Sequence, residues 1–124
     1  MKIDDLLSLY NIKVFEFPTT FWCRKGFYYP KNRKIYLNSD LSEDEKKAVI
    51  LHELGHINHD PKKYKRMLVK YENEADRFMI KSLLKEYLEE NDVLDFNWLK
   101  FAEKYKISST WGQEMIQDEF KKLI

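Results

Sequence analysis

A single cysteine, Cys23, stands alone in 124 residues, so an internal disulfide framework is excluded and a reducing compartment is expected. Glycine and proline number three each, too few for a low-complexity or disordered chain. No apolar run approaches the roughly 18 residues of a membrane span. The start, Met1-Lys2-Ile3-Asp4-Asp5, puts two acids where a signal peptide needs an apolar stretch. Neither charge dominates. Against 22 basic residues stand 21 acidic ones, and a formal net charge of +1 argues against a nucleic-acid binder working by overall charge. What is abundant is apolar (44%) and charged (35%) residues, enough for a real core under a solvated surface. Without repeats or linkers, residues 1–124 read as one cytoplasmic domain, with neither a membrane nor direct nucleic-acid contact expected.

Periodicity divides the chain in two. Ile3, Leu6, Leu7 and Tyr10 recur at helical intervals and predict a short N-terminal amphipathic helix. Ile12, Val14, Phe15 and Phe17 suggest a strand ended by Pro18. Phe27-Tyr28-Tyr29 and Lys34-Ile35-Tyr36-Leu37 suggest two more, joined by a turn at Pro30-Lys31-Asn32-Arg33. Residues 12–37 thus predict a small antiparallel sheet. From residue 40 the pattern is helical. Ser42 and Glu45 fit a capping box opening a helix with Ala48, Val49, Leu51, Leu54 and Ile57, which should fade near Asn58 to Pro61. Three further helices are expected, at about 64–90, 96–105 and from Thr110 to the end, with Thr110 and Gln113 as another capping box. Strands first and helices after make the fold class α+β.

All three histidines fall between His52 and His59, two of them in His52-Glu53-Leu54-Gly55-His56. A helical spacing of four brings His52 and His56 to one face, where two imidazole nitrogens can converge on one ion. Glu53 lies about 100° further round, close enough to reach an ion-bound water without ligating the ion. Catalytic zinc needs neutral imidazoles, an open position for water and a base beside it, and it needs a third protein ligand. His59 is one candidate. Glu72-Asn73-Glu74-Ala75-Asp76 offers better ones, because Glu72 and Asp76 are four apart and face the same way, so one can bind metal while the other hydrogen-bonds a ligand histidine. Glu74 projects about 200° from Glu72. The favoured ligand is Glu72, with Asp76 as the supporting group. Gly55 costs about 1 kcal/mol relative to alanine inside a helix, which suggests close approach by the sheet or by the ligand-bearing helix.

The HELGH segment, followed sixteen residues after its second histidine by Glu72-Asn73-Glu74-Ala75-Asp76, resembles the ImmA/IrrE family of small zinc metallopeptidases, with their HExxH helix and downstream ExxA(N/D) segment. Lys34-Ile35-Tyr36-Leu37-Asn38 resembles the edge strand of that family, and residues 101–108 are similar to one of its C-terminal segments. The resemblance runs over roughly residues 27–110. It implies a compact gluzincin-like fold, Zn²⁺ held by His52, His56 and Glu72, and Glu53 as catalytic base. It also implies a substrate class: helix-turn-helix repressors of phage or mobile elements, cut to derepress genes in a bacterial cell. No second domain that could sense a signal or dock a substrate is expected within these 124 residues.

On that chemistry Glu53 takes a proton from the attacking water and delivers it to the leaving amine. A further donor for the developing oxyanion is expected among His59, Tyr64, Tyr28 and Tyr36. The competing reading is an antirepressor that binds the repressor without cutting it, with zinc structural. A weaker one is DNA binding through a helix-turn-helix at Phe96 to Phe120, against which the charge balance counts. Lys62-Lys63-Tyr64-Lys65-Arg66 reads as a solvated helix start. Cys23 reads as a small core residue, and Trp98, Trp111 and Phe120 as packing.

Overall fold

The computed structural model describes residues 2–124. Helix α1 (Ile3–Leu9) leads into β1 (Lys13–Phe17), β2 (Gly26–Tyr29) and β3 (Lys34–Asn38). Four helices follow: α2 (Glu43–Leu54), α3 (Leu68–Glu90), α4 (Trp98–Tyr105) and α5 (Ser109–Leu123). The architecture is the expected α+β one, a three-stranded sheet with helices beside it.

The sheet itself departs from expectation. Its order is β1-β3-β2, with β2 antiparallel to β3 but β1 parallel to it, so the sheet is mixed. Lys34–Asn38 is therefore the central strand, not an edge, and β1 and β2 are the two edges. Alternating side chains fix which residues face inward but carry no information about strand direction. Direction is set by the connection at 18–25, which spans two strand spacings, about 10 Å. Asn38, buried at the end of β3, holds that connection. Its backbone N–H donates to Lys25 O at 2.8 Å, its side-chain amide donates to Arg24 O at 3.2 Å, and its Oδ1 accepts from the Thr19 hydroxyl at 3.1 Å. β3 is thus held open on both sides, to β1 and to β2.

Ile35 and Leu37 point inward and are buried under α2, with the core continuing through Leu51, Ile80, Leu83, Leu84 and Ile116. The opposite face carries Phe15, Tyr36 and Phe27 in one row across the three strands, Tyr36 stacked on Phe27 with centroids 4.9 Å apart. Burying that inner stripe against α2 adds to the core at about 25 cal/mol per Å² of apolar surface removed from water.

Ser42 caps α2 as expected, its hydroxyl accepting from Glu45 N–H at 3.2 Å. The reciprocal half of the box is absent, since the Glu45 carboxylate pairs with Lys25 at 3.1 Å. The last helix is capped by Ser108, not Thr110. α3 packs between α2 and α5. Arg77 ties α3 to α5 through Asp118 and the buried Glu119, at 2.7 and 2.8 Å. Phe120 stacks on Phe96 and Trp98 is half-buried, as packing residues should be, but Trp111 stands exposed at the rim of a cleft. Cys23 is exposed rather than in the core.

Candidate metal centre

α2 ends at Leu54, inside the motif and before the fade expected near Asn58. Gly55 closes it, and the chain continues in tighter turns: His56 N–H donates to Glu53 O at 3.0 Å and Ile57 N–H to Leu54 O at 3.2 Å. Gly55 has an ordinary right-handed conformation (φ −64°), so its small size answers a demand for space. A Cβ there would lie 2.7 Å from the Ala75 Cα. The close neighbour is α3, the helix that carries the acids. On α3, Glu72, Ala75, Asp76 and Met79 follow the three- and four-residue spacing of a single face, and Ala75 is the contact point. Two small residues thus let the helices approach until carboxylates on one reach imidazoles on the other.

The tightened turn leaves His52 and His56 converging, their Nε2 atoms 3.2 Å apart. Glu72 brings its carboxylate oxygens to 3.0 Å from His52 Nε2 and 3.5 Å from His56 Nε2. One donor atom from each of the three residues lies within 4.8 Å of the others. Asp76 receives His52 Nδ1 at 2.9 Å, the supporting position expected for it. His59 does not join this group. Its Nδ1 lies 3.0 Å from His56 Nδ1, on the far side of that ring from the converging nitrogens.

Two imidazoles and a carboxylate, one imidazole braced by a second carboxylate, are a donor set that suits a divalent transition metal. The electrostatics divide the two rings. Burial works against charge on His52, yet the hydrogen bond to Asp76 and the charges of Glu53, Asp76 and Glu72 raise its pKa above the ordinary value. His56 is lowered by burial and by His52, which favours the neutral ring a metal requires. Glu72 is opposed by burial, but the Tyr64 hydroxyl and the two histidines hold it below the usual carboxylate range. Burial pushes Glu53 up to about 7, Glu72 adding to the rise while His52 and Arg24 oppose it. Replacing Asp76 with Ala is expected to weaken metal binding roughly 10- to 100-fold, read by competition with a chromophoric chelator. Unchanged affinity would mean that packing alone orients His52.

The group opens into a cleft of about 880 Å³ between β2, α2 and the start of α5. Glu53, Tyr28 and Tyr64 line it, and Tyr64 donates its hydroxyl to Glu72. Tyr36 does not line it, lying on the outer face of the sheet against Phe27. Lys62, Lys63, Lys65 and Arg66 are exposed, and none forms an ion pair among the described residues.

The family model for the IrrE N-terminal-like domain, Peptidase_M78, matches residues 8–111, most of the chain. The chain belongs to that family. The function of an IrrE N-terminal-like domain of this kind is of the metallopeptidase type, and His52, His56 and Glu72 are a group able to hold its metal. No curated protein and no solved structure was found to match the chain. No helix among the described residues is long and apolar enough to cross a membrane.

The histidine pair and both acids on α3 were visible in the sequence. The linkage of His59 to Glu74 was missed: their Nε2 and Oε2 atoms meet at 2.7 Å. A helical wheel sends Glu74 away from Glu72, and only the turn at 55–67 brings His59 round to meet it.

Proposed function

We propose that this IrrE N-terminal-like domain is a zinc-dependent endopeptidase whose substrate is a helix-turn-helix transcriptional repressor of a phage or mobile element. The observation that carries the reading is the convergence of His52, His56 and Glu72 in an open cleft with the half-buried Glu53 one residue away. Two imidazoles and one carboxylate, with no fourth protein ligand among the described residues, make the donor set of catalytic rather than structural zinc. Zinc held there supplies a Lewis acid and a water of pKa near 7.

The chain's own residues do the rest. Glu53 lies in surroundings that hold its pKa at about 7, so it can both accept the water proton and return it to the departing amine near neutral pH. Tyr64 is the best placed of the candidate oxyanion donors, since it lines the cleft and its hydroxyl already reaches Glu72. The hydroxyl keeps its proton: burial and the Glu72 carboxylate hold its pKa well above the ordinary phenol value. The cleft volume falls in the range of sites that enclose a small ligand or a short extended peptide segment.

The test is co-expression with the helix-turn-helix repressor encoded nearest the gene, read by intact mass of the repressor. Discrete fragments with the wild type, and none with Glu53→Gln, are the expected result. An intact repressor released from its operator by both proteins would make the chain a binding antirepressor instead.

A further inference from the structure

The geometry points to His59 and Glu74 as positioning residues that orient His56 for metal binding, as Asp76 orients His52. The inference rests on the zinc reading above. His56 Nε2 faces His52 and Glu72, so the electron pair a metal uses is on Nε2 and the ring proton must sit on Nδ1. That Nδ1 lies 3.0 Å from His59 Nδ1. The His56 N–H therefore donates, and His59 Nδ1 accepts. His59 must then carry its own proton on Nε2, which lies 2.7 Å from the Glu74 carboxylate. One choice of tautomer at the metal position fixes the next and ends on an anion. The direction of polarisation is the useful one: negative charge at Glu74 makes His59 a better acceptor, and this makes His56 Nε2 a better donor to a cation.

His59 is also held as a positioning group should be. Its side chain is only 9% exposed, and its ring stacks on Tyr71 at 4.0 Å and 4°. Tyr71 and Glu74 are three apart on α3, so the same helix that presents Glu72 and Asp76 to the histidine pair grips His59 from behind. Each ligand histidine then has a carboxylate behind it. Asp76 acts directly on His52, and Glu74 acts through an intervening imidazole on His56. The extra ring is needed because Glu74 points away from the cleft.

The test compares wild type, His59→Phe, His59→Gln and Glu74→Ala by chelator competition with zinc, by the visible spectrum of the cobalt-loaded protein, and by thermal melting without metal. Phe keeps the stack on Tyr71 but can neither accept nor donate. Gln keeps an acceptor for His56. The expected result is a roughly 10- to 100-fold loss of zinc affinity in His59→Phe, a smaller loss in His59→Gln and Glu74→Ala, an altered cobalt spectrum, and metal-free melting close to that of the wild type. Zinc affinity in His59→Phe equal to wild type overturns the inference alone. So does a loss matched by an equal fall in metal-free stability, which would make the contact structural. Wild-type protein with no zinc affinity sinks this inference and the zinc reading together.

Discussion

Glu53→Gln is expected to lower kcat/KM for peptide hydrolysis by on the order of 10² to 10⁴, about 3 to 5 kcal/mol of transition-state stabilisation, while zinc stays bound. Gln matches Glu in shape, so the cleft and the neighbouring His52 are undisturbed. It cannot accept a proton at any accessible pH, so under the proposed mechanism the water would lose its base and the leaving amine its acid. Stability should hold or rise slightly, because burial already penalises the Glu53 carboxylate and pushes it up to about 7. Metal content by elemental analysis, melting temperature and turnover measured on one preparation separate the alternatives. Full activity in the variant would assign the base elsewhere. Loss of zinc along with activity would make Glu53 a ligand.

The second large effect is at a residue that touches no substrate. Gly55→Ala is expected to destabilise the fold by about 1 to 3 kcal/mol, as overpacking does. The sign is diagnostic. At φ −64° alanine is allowed, and in an open helix it would stabilise by about 1 kcal/mol. Here the new Cβ meets backbone atoms, the Ala75 Cα at 2.7 Å and its carbonyl oxygen at 3.1 Å, and backbone cannot rotate away as a side chain can. α3 must shift outward, taking Glu72 and Asp76 with it. Zinc affinity should therefore fall by about tenfold or more, since ligand distances tolerate only a few tenths of an ångström. Urea denaturation of the metal-free protein reads the first effect and chelator competition the second. A variant as stable as wild type would mean that the helices slide apart at no cost.

Much of this was legible in the sequence where the physics is local. Ser42 announces its helix because a hydroxyl three residues before a free N–H is a cap wherever it stands. His52 and His56 meet because four residues make about one turn, and Glu72 and Asp76 lie on one face for the same reason. The parallel pairing of β1 with β3 was not legible, because it depends on Asn38 gripping a connection fourteen and more residues away. Nor was the end of α2 at Leu54, since the helical spacing of apolar residues runs on to Ile57 and Gly55 itself keeps a right-handed conformation. The choice of Tyr64 over Tyr36 as a residue facing the cleft likewise turns on a non-helical segment, 61–67, whose path no periodicity describes.

That segment has a further consequence. His52 sits at the end of one helix, His56 in the turn just past it and Glu72 near the start of the next, and residues 55–67 belong to neither helix. A cation shared by the three closes a loop on the order of 20 residues, whose free ends would carry about 2.7 kcal/mol of closure entropy. Cofactor and fastener are then one object. Occupancy feeds directly into cohesion, each tenfold excess of free metal over its dissociation constant adding about 1.4 kcal/mol. Scarcity of metal would loosen the turn bearing His59 and Tyr64 first, while Ile35, Leu51 and Ile80 kept the rest of the domain intact. Metal supply would thereby set the working shape of the domain before it set its lifetime.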